Sequence, residues 1–171
     1  MAIRRIPKKQ NTTTESSEAP NANIQSEMSR SDSHYLEIFR SQLTTADDVD
    51  ELVRAIISER VAKHLVIFYL DEEHRVLAYT IMTVGPLRMT SISQRALFQT
   101  AVETGATAIM LAHHHPQGDA PSIPEDIQSL RRWREAGRIL DIPILDLVTV
   151  TEDDFVSLKD HLSRSFTEPQ W

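Results

Sequence analysis

The sequence contains no cysteine, which excludes a disulfide framework and thiolate ligands for a metal. Any bound metal must therefore be held by histidine, aspartate, glutamate or water. The chain also has no apolar run close to the roughly 20 residues that a membrane-spanning helix needs. Its first residues, Met1 to Gln10, lack the apolar segment of a secretory signal. We therefore expect a soluble cytoplasmic protein that has no membrane partner.

An excess of positive charge is also missing, since 25 acidic and 18 basic residues give a net charge of -7. That balance argues against a dedicated nucleic-acid surface, although two basic segments could contact DNA or an acidic peptide. The basic residues of these segments are Arg4, Arg5, Lys8 and Lys9 near the start and Arg131, Arg132, Arg134 and Arg138 in a later helix. We favour a solvated tail and a solvated helix face for them.

The composition divides the 171 residues into one domain and two tails. Residues 1–33 are rich in serine, threonine, asparagine and proline and can bury almost nothing, so we predict a disordered N-terminal tail. Residues 34–165 are predicted to form a single domain, for which the 40% of hydrophobic residues supply a core. Residues 166–171 are predicted to be a short C-terminal tail.

Hydrophobic periodicity predicts helices and strands in alternation. A capping box at Thr45 and Asp48 starts the first helix, which is predicted to reach about Val61. A helix capped by Ser93 has an apolar face that is predicted to include Val102. The other predicted elements are strands over 65–70, 75–83, 106–112, 142–150 and 154–158 and a helix over 124–140, in which Gly137 indicates close packing. Alternation of this kind indicates an α/β sandwich around a mixed sheet.

Three consecutive histidines follow the strand predicted over 106–112. His113 and His115 are two residues apart, so on an extended chain their imidazoles share one face while His114 points the other way. Asp126 lies eleven residues after His115, where the chain has turned and a helix begins. Two imidazoles and one carboxylate form a common ligand set for catalytic zinc, with a fourth position left for water. We therefore predict that His113, His115 and Asp126 bind one zinc ion per chain.

A histidine-rich surface turn, or a tract that binds nickel fortuitously, is the alternative explanation of this stretch. Against it, Pro116, Gly118, Pro121 and Pro124 punctuate a loop that would return the chain to the histidines. His114 could replace one of its neighbours as a ligand, but the alternation of side chains makes it the odd one out.

The same stretch resembles the metal loop of the JAMM (JAB1/MPN/Mov34) metallopeptidase fold in its RadC-like version. That pattern reads His-x-His-Pro-x-Gly, then Pro-Ser, then two residues and Asp. His113, His115, Pro116, Gly118 and Asp126 stand in register with it. The resemblance extends over roughly residues 62–161. Shorter segments that carry it are Leu70-Asp71, Gly85, Leu87, Arg95, Ile144-Leu145-Asp146 and Phe155-Val156-Ser157-Leu158.

The resemblance implies a cytidine-deaminase-like JAMM/MPN sandwich, in which a mixed, mostly antiparallel sheet lies between helices with zinc at its edge. It also implies hydrolysis of peptide or isopeptide bonds by a water that the zinc acidifies, with a glutamate as general base. The chain departs from the family pattern at two positions. Lys63 stands where the family has that glutamate, and Ile123 stands where it has a serine that helps to hold the oxyanion.

Three residues could replace the missing groups. Ser122 lies one place before the serine position, and Glu59 lies one helical turn before Lys63. Glu125 could also act as the base, although a capping box with Ser122 is its more plausible role. The plainer interpretation is that Ser122 caps a helix and that Glu59 is an ordinary surface carboxylate.

Two functional hypotheses follow from the resemblance. The chain is either a zinc-dependent hydrolase with an unknown peptide or protein substrate, or a catalytically inactive metal-binding module that works through partners. The second hypothesis includes a link to DNA repair or mobile-element function. A carboxylate placed within about one water of the metal would favour the hydrolase.

Overall fold

A computed structural model describes residues 2–5, 38–39, 41–57, 62–83, 92–115 and 123–165. The strands in this part of the chain are β1 (Ala2–Arg5), β2 (His64–Leu70), β3 (Val76–Thr83), β4 (Ala108–His114), β5 (Ile144–Val150) and β6 (Phe155–Ser157). They form one sheet of order β1-β3-β2-β4-β5-β6. β4 and β5 pair in parallel, and the other neighbouring strands are antiparallel.

Helices cover both faces of this sheet. They are α1 (Ala46–Ile56), α2 (Gln94–Thr104), α3 (Ile123–Ile139) and α4 (Leu158–Ser165). Val49 and Val53 of α1 pack into the core on one face, whereas Leu97 of α2 and Trp133 of α3 pack into the core on the other. The predicted α/β sandwich with a mixed, mostly antiparallel sheet is therefore confirmed. None of the helices in the described part of the chain is long and apolar enough to cross a membrane.

β2 and β4 form the centre of the sheet, and every residue of both strands is buried. Both are largely apolar along their whole length because helices cover both faces. They pair with Leu65 opposite His113 and His64 opposite His114. Along β4, Ile109 and Leu111 face α2 and α3. The alternate residues Ala108, Met110 and Ala112 face α1. The C-terminal end of β4 therefore presents successive side chains to two different cores.

The predicted capping box at the start of α1 is confirmed. The Asp48 backbone N–H donates to the Thr45 hydroxyl at 3.2 Å, and the Thr45 backbone N–H donates to the Asp48 carboxylate at 2.8 Å. The helix ends at Ile56 because Ile57 has an extended backbone, with φ -93° and ψ 101°. The prediction of a helix to about Val61 is therefore wrong at Ile57, and residues 58–61 lie outside the described part of the chain.

α2 has the predicted caps but a different buried face. Ser93 caps its start, and Gly105 ends it in the left-handed conformation with φ 69°. Val102 is 63% exposed, so its assignment to the apolar face is wrong, and Phe98 is buried instead. Ala101 already points into the core, and each further residue turns by about 100° around a helix. Val102 is therefore carried out of the interface and into solvent.

β1 is an element that composition does not predict. Ala2–Arg5 pair antiparallel with β3, with Ala2 opposite Ile81 and Arg5 opposite Ala78. The prediction of disorder over residues 1–33 is therefore wrong for these four residues. Without β1, β3 would be the edge of the sheet, and an edge strand offers unpaired backbone groups to any extended segment. Composition does not show that such an edge is available. Residues 6–33 lie outside the described part of the chain.

The last helix also differs from the sequence prediction. Leu158, predicted as the end of a strand, is the first residue of α4, and β6 ends at Ser157. The Asp160 backbone N–H donates to the Ser157 hydroxyl at 3.1 Å, which caps the helix. The three-residue spacing of Ser157 and Asp160 is a helix-start signal. The strand predicted over 154–158 does not take it into account.

Candidate metal centre

The C-terminal end of β4 places two histidines on one face of the sheet. β4 reaches His114, two residues beyond the predicted strand. The His115 backbone N–H then donates to the Val150 carbonyl at 2.7 Å, which continues the pairing with β5 by one residue. The rings of His113 and His115 have centroids 4.2 Å apart and an interplanar angle of 65°. The two imidazoles therefore face one site, as the alternation of strand side chains predicts.

Asp126 reaches the same site from the first turn of α3, which begins at Ile123. Its Oδ2 lies 3.3 Å from Nδ1 of His113. One ligand atom from each of His113, His115 and Asp126 lies within 4.8 Å of the other two. These residues are 4%, 2% and 1% exposed, respectively. The structure thus brings together the three side chains that the sequence predicts as ligands.

The donor set of this metal cluster (His113, His115 and Asp126) fits a divalent cation. Nε2 of His113 is buried and has no hydrogen-bond partner in the described part of the chain, although buried polar groups are nearly always paired. A buried carboxylate likewise needs a compensating charge or hydrogen bonds. Zinc binds imidazole nitrogen and carboxylate oxygen at about 2.0–2.2 Å. The cluster can therefore hold one metal ion.

His114 lies on the opposite face of the sheet, beside His64. The two rings have centroids 6.1 Å apart. Burial lowers the pKa of His114 below its ordinary value of 6.5, and the nearby His64 lowers this pKa further, against a hydrogen bond with the backbone of Ala62. His114 therefore lies on the face of the sheet that packs against α1 and is not part of the metal cluster.

Lys63 directly precedes β2, the strand that pairs with β4. Leu65 pairs with His113 and His64 with His114, so an extended backbone at Lys63 would stand opposite His115. Because alternate residues of an extended chain share a face, we expect the Lys63 side chain on the face of Leu65, toward α3. The residue that the resemblance aligns with the general base is thus expected beside the metal cluster, and it is a lysine. Among the described residues, Asp126 is the one carboxylate of the cluster.

The candidate replacements for the missing catalytic groups are not tested by the structure. Ser122 and Glu59 lie outside the described residues. Ile123 begins α3, but its side chain is also outside the described part. The roles of Ser122 and Glu59 stay predictions.

The arginines of α3 have partners within the protein. Arg134 donates to two main-chain carbonyls of β5 at 3.2 and 3.0 Å. Arg132 donates to the Ile92 carbonyl at 3.1 Å, and Arg138 pairs with Glu135 at 3.0 Å. Three of the four arginines therefore make intramolecular contacts that compete with binding to DNA.

Two buried hydroxyl residues near the metal cluster were not singled out from the sequence. Thr149 of β5 pairs with His113 of β4, and Ser129 lies one turn after Asp126 on α3. They are 0% and 1% exposed. The spacing of Ser129 from Asp126 is a signal that could have found it. Thr149 could not be found in this way, because its place depends on the register of two strands that are distant in the sequence.

Comparison with known proteins identifies the family of this chain. The model of the RadC-like JAB domain family matches residues 43–163. The chain belongs to the RadC-like JAB domain family. The resemblance seen in the sequence is therefore confirmed, and the matched span contains the whole metal cluster.

Curated relatives of this RadC-like chain carry the name UPF0758 protein. The one from Chlorobaculum parvum is 34% identical over 116 residues, which cover 68% of this chain and 52% of that protein. The one from Syntrophomonas wolfei is 35% identical over 124 residues, covering 70% and 53%, and the one from Desulforudis audaxviator is 38% identical over 97 residues, covering 57% and 42%. This chain thus spans about half the length of the curated relatives it matches.

Proposed function

We propose that this RadC-like JAB domain binds one zinc ion through His113, His115 and Asp126. The observation that carries the proposal is the convergence of three buried ligand atoms within 4.8 Å of one another. Two imidazoles and one carboxylate are the protein ligands of many catalytic zinc sites, which keep a fourth position open. The absence of cysteine from the chain also favours an imidazole and carboxylate site over a closed thiolate one.

Hydrolysis of a peptide or isopeptide bond is the reaction we propose for this site, because the resemblance to JAMM metallopeptidases implies it. Bound zinc would supply a Lewis acid and a water acidified toward neutrality. His113, His115 and Asp126 would fix the ion at the end of β4, where the Asp126 carboxylate also offsets its charge. A general base within hydrogen-bond reach must take a proton from the attacking water and return it to the leaving nitrogen. The substrate would be a peptide or protein.

Lys63 favours a second candidate function, a metal-binding module without hydrolytic activity. A protonated ammonium group cannot accept a proton, so Lys63 cannot act as a general base in that state. Such a module would act by holding a peptide or protein partner, in DNA repair or in mobile-element function. With a net charge of -7, we expect any DNA contact to be small.

Metal analysis of the untagged chain tests the zinc proposal. We expect about one zinc per chain in the wild type and none in the His113→Ala, His115→Ala double variant. His161→Ala is the control, because His161 lies on α4 and outside the metal cluster, and it should keep its zinc. Wild-type protein that takes up no zinc would contradict the proposal.

A cleavage assay on zinc-loaded protein, with a panel of peptides and isopeptides, separates the two candidate functions. If the wild type lacks only the carboxylate of the general base, Lys63→Glu should cleave substrates that the wild type does not. Lys159→Glu makes the same charge change on α4 and should gain nothing. Equal cleavage by the wild type and Lys63→Glu would assign the base to another residue and favour the hydrolase. No cleavage by either would favour the binding module.

A further inference from the structure

Several buried polar atoms near the metal cluster lack hydrogen-bond partners. In the described part of the chain these include Ser129 Oγ and Thr149 Oγ1, besides Nε2 of His113. Ser129 is 1% exposed, and Thr149 is 0% exposed. A buried hydroxyl without a partner lowers stability. Groups of this kind in native proteins commonly serve a functional site or are paired by ordered water.

Thr149 is the neighbour of His113 across the sheet. The parallel register of β4 and β5 pairs the two residues, so their side chains point to the same face from strands about 4.8 Å apart. The adjacent residues of β5 support this direction, because Leu147 packs into the core under α2 and α3 whereas Val148 and Val150 pack into the core under α1. The Thr149 hydroxyl therefore lies toward α3, beside the imidazole of His113.

Ser129 approaches the same region from the helix. It follows Asp126 by three residues, which places their Cβ atoms about 5–6 Å apart on one face of α3. That face is the one packed on the sheet, since Asp126, Ser129, Leu130 and Trp133 are all buried. Asp126 contacts His113 at 3.3 Å, so Ser129 neighbours one member of this contact along α3 and Thr149 neighbours the other across the sheet.

We infer that Ser129 and Thr149 are positioning residues of the metal centre, whose hydroxyl groups hold one ordered water against His113 and Asp126. The inference rests on the proposed zinc site. A histidine that binds a metal through one ring nitrogen donates from the other to a carboxylate, a carbonyl or water, and this contact fixes its tautomer and orientation. A buried water needs two to four polar partners, and the two hydroxyls, the imidazole and the carboxylate supply them.

The zinc affinities of Thr149→Val and Ser129→Ala test this inference. Each change removes a hydroxyl without enlarging the side chain. We expect the zinc dissociation constant, measured by competition with a chelating dye, to rise about 10–100-fold in each variant. The visible absorption spectrum of the cobalt-loaded protein should also change, because it reports the geometry of the ligands.

Two further variants serve as matched controls. Thr149→Ser keeps the hydroxyl and should retain wild-type zinc affinity and the wild-type cobalt spectrum. Thr80→Val removes a hydroxyl that is equally buried but lies on β3, two strands from β4, and it should leave zinc affinity unchanged. Thr80→Val with a loss of affinity as large as that of Thr149→Val would overturn the inference.

The stability of the metal-free protein distinguishes a positioning role from a structural one. Because the Thr149 hydroxyl has no partner in the described part of the chain, Thr149→Val should leave the metal-free protein as stable as the wild type or more stable. Wild-type zinc affinity and an unchanged cobalt spectrum in both Thr149→Val and Ser129→Ala would overturn the inference and leave the zinc site in place. A wild-type chain that binds no zinc would overturn both the proposed zinc site and the inference about Ser129 and Thr149.

Discussion

Asp126 is a carboxylate buried between a helix and the end of a strand, and an unpaired charge in such a place is costly. Its contact with Nδ1 of His113 at 3.3 Å compensates that cost in part. A divalent cation held by the same two residues and His115 would compensate it more fully. At the scale of single residues, we therefore expect the negative charge of Asp126 to matter more to metal binding than the shape of its side chain.

Asp126→Asn tests this view, because it keeps the shape of the side chain and removes the charge. We expect zinc affinity, measured by dye competition, to fall by more than about tenfold. Glu135→Gln makes the same kind of change on the same helix, but the Glu135 side chain is exposed and paired with Arg138. It should bind zinc as the wild type does, and Asp126→Asn with wild-type affinity would show that the charge of Asp126 is not needed for zinc binding.

Much of the candidate site could be predicted from single residues. Because successive strand residues point to opposite faces, the spacing of His113 and His115 predicts a shared site, and their ring contact agrees. Asp126 is predicted as the third ligand from the loop that returns the chain to the histidines and from the family pattern. The place of Thr149 beside His113 could not be read from local spacing, because it depends on strand register, which tertiary packing sets.

At the scale of secondary-structure elements, the cap of α1 gives a local contribution to stability. Thr45→Ala removes the hydroxyl that accepts the Asp48 backbone N–H, so we expect the free energy of unfolding to fall by about 1 kcal/mol. Urea denaturation measures the change. Glu51→Ala, exposed on the same helix, should change stability by less than about 0.5 kcal/mol. Equal effects of the two substitutions would contradict the capping role.

The same cap makes part of the stability dependent on pH. Burial alone would raise the pKa of Asp48, but hydrogen bonds from Thr44 and Thr45 outweigh it and hold this pKa below its ordinary value of 3.8. The stabilisation is therefore fully present above about pH 4 and is lost as the pH falls through the lowered pKa. The difference in unfolding free energy between the wild type and Asp48→Asn should shrink from pH 7 to pH 3. A constant difference would contradict this assignment.

The predicted close packing of α3 at Gly137 is confirmed. A Cβ atom added there would lie 2.5 Å from the backbone oxygen of Ile142 and 3.4 Å from Cζ of Phe98. Alanine in place of glycine usually stabilises a helix by about 1 kcal/mol, but here the backbone contact forces α3 away from the turn before β5. We expect Gly137→Ala to lower the free energy of unfolding by about 1–3 kcal/mol.

Urea denaturation again measures the effect of Gly137→Ala. Gln128→Ala, an exposed position of the same helix, controls for helix propensity and should be close to neutral. A Gly137→Ala variant more stable than the wild type would mean that α3 and the turn can separate without cost.

The elements that the sequence did not predict share a physical reason. β1 forms on the edge of β3, and α4 begins at a cap that follows directly on β6. β1 depends on its pairing with β3, and α4 depends on the cap that Ser157 supplies at the end of β6. Periodicity and composition are local signals, so they predict α1, β2 and β4 well and predict elements at the edges of the sheet poorly.

At the scale of the whole molecule, the sheet assembles the site from segments that are far apart in the sequence. Lys63 directly precedes β2, His113 and His115 lie at the end of β4, and α3, which packs on one face of the sheet, brings Asp126. The alternation of helices and strands predicts this class of fold, and the family match over residues 43–163 agrees with it. The central claim is that the assembled side chains bind a single zinc ion.

An anomalous difference map at the zinc absorption edge, from crystals of the zinc-loaded wild-type chain, tests this claim most directly. We predict one peak per chain, bonded at about 2.0–2.2 Å to a ring nitrogen of His113, a ring nitrogen of His115 and a carboxylate oxygen of Asp126. Crystals with no peak at this position, or with the three side chains directed to different places, would contradict it.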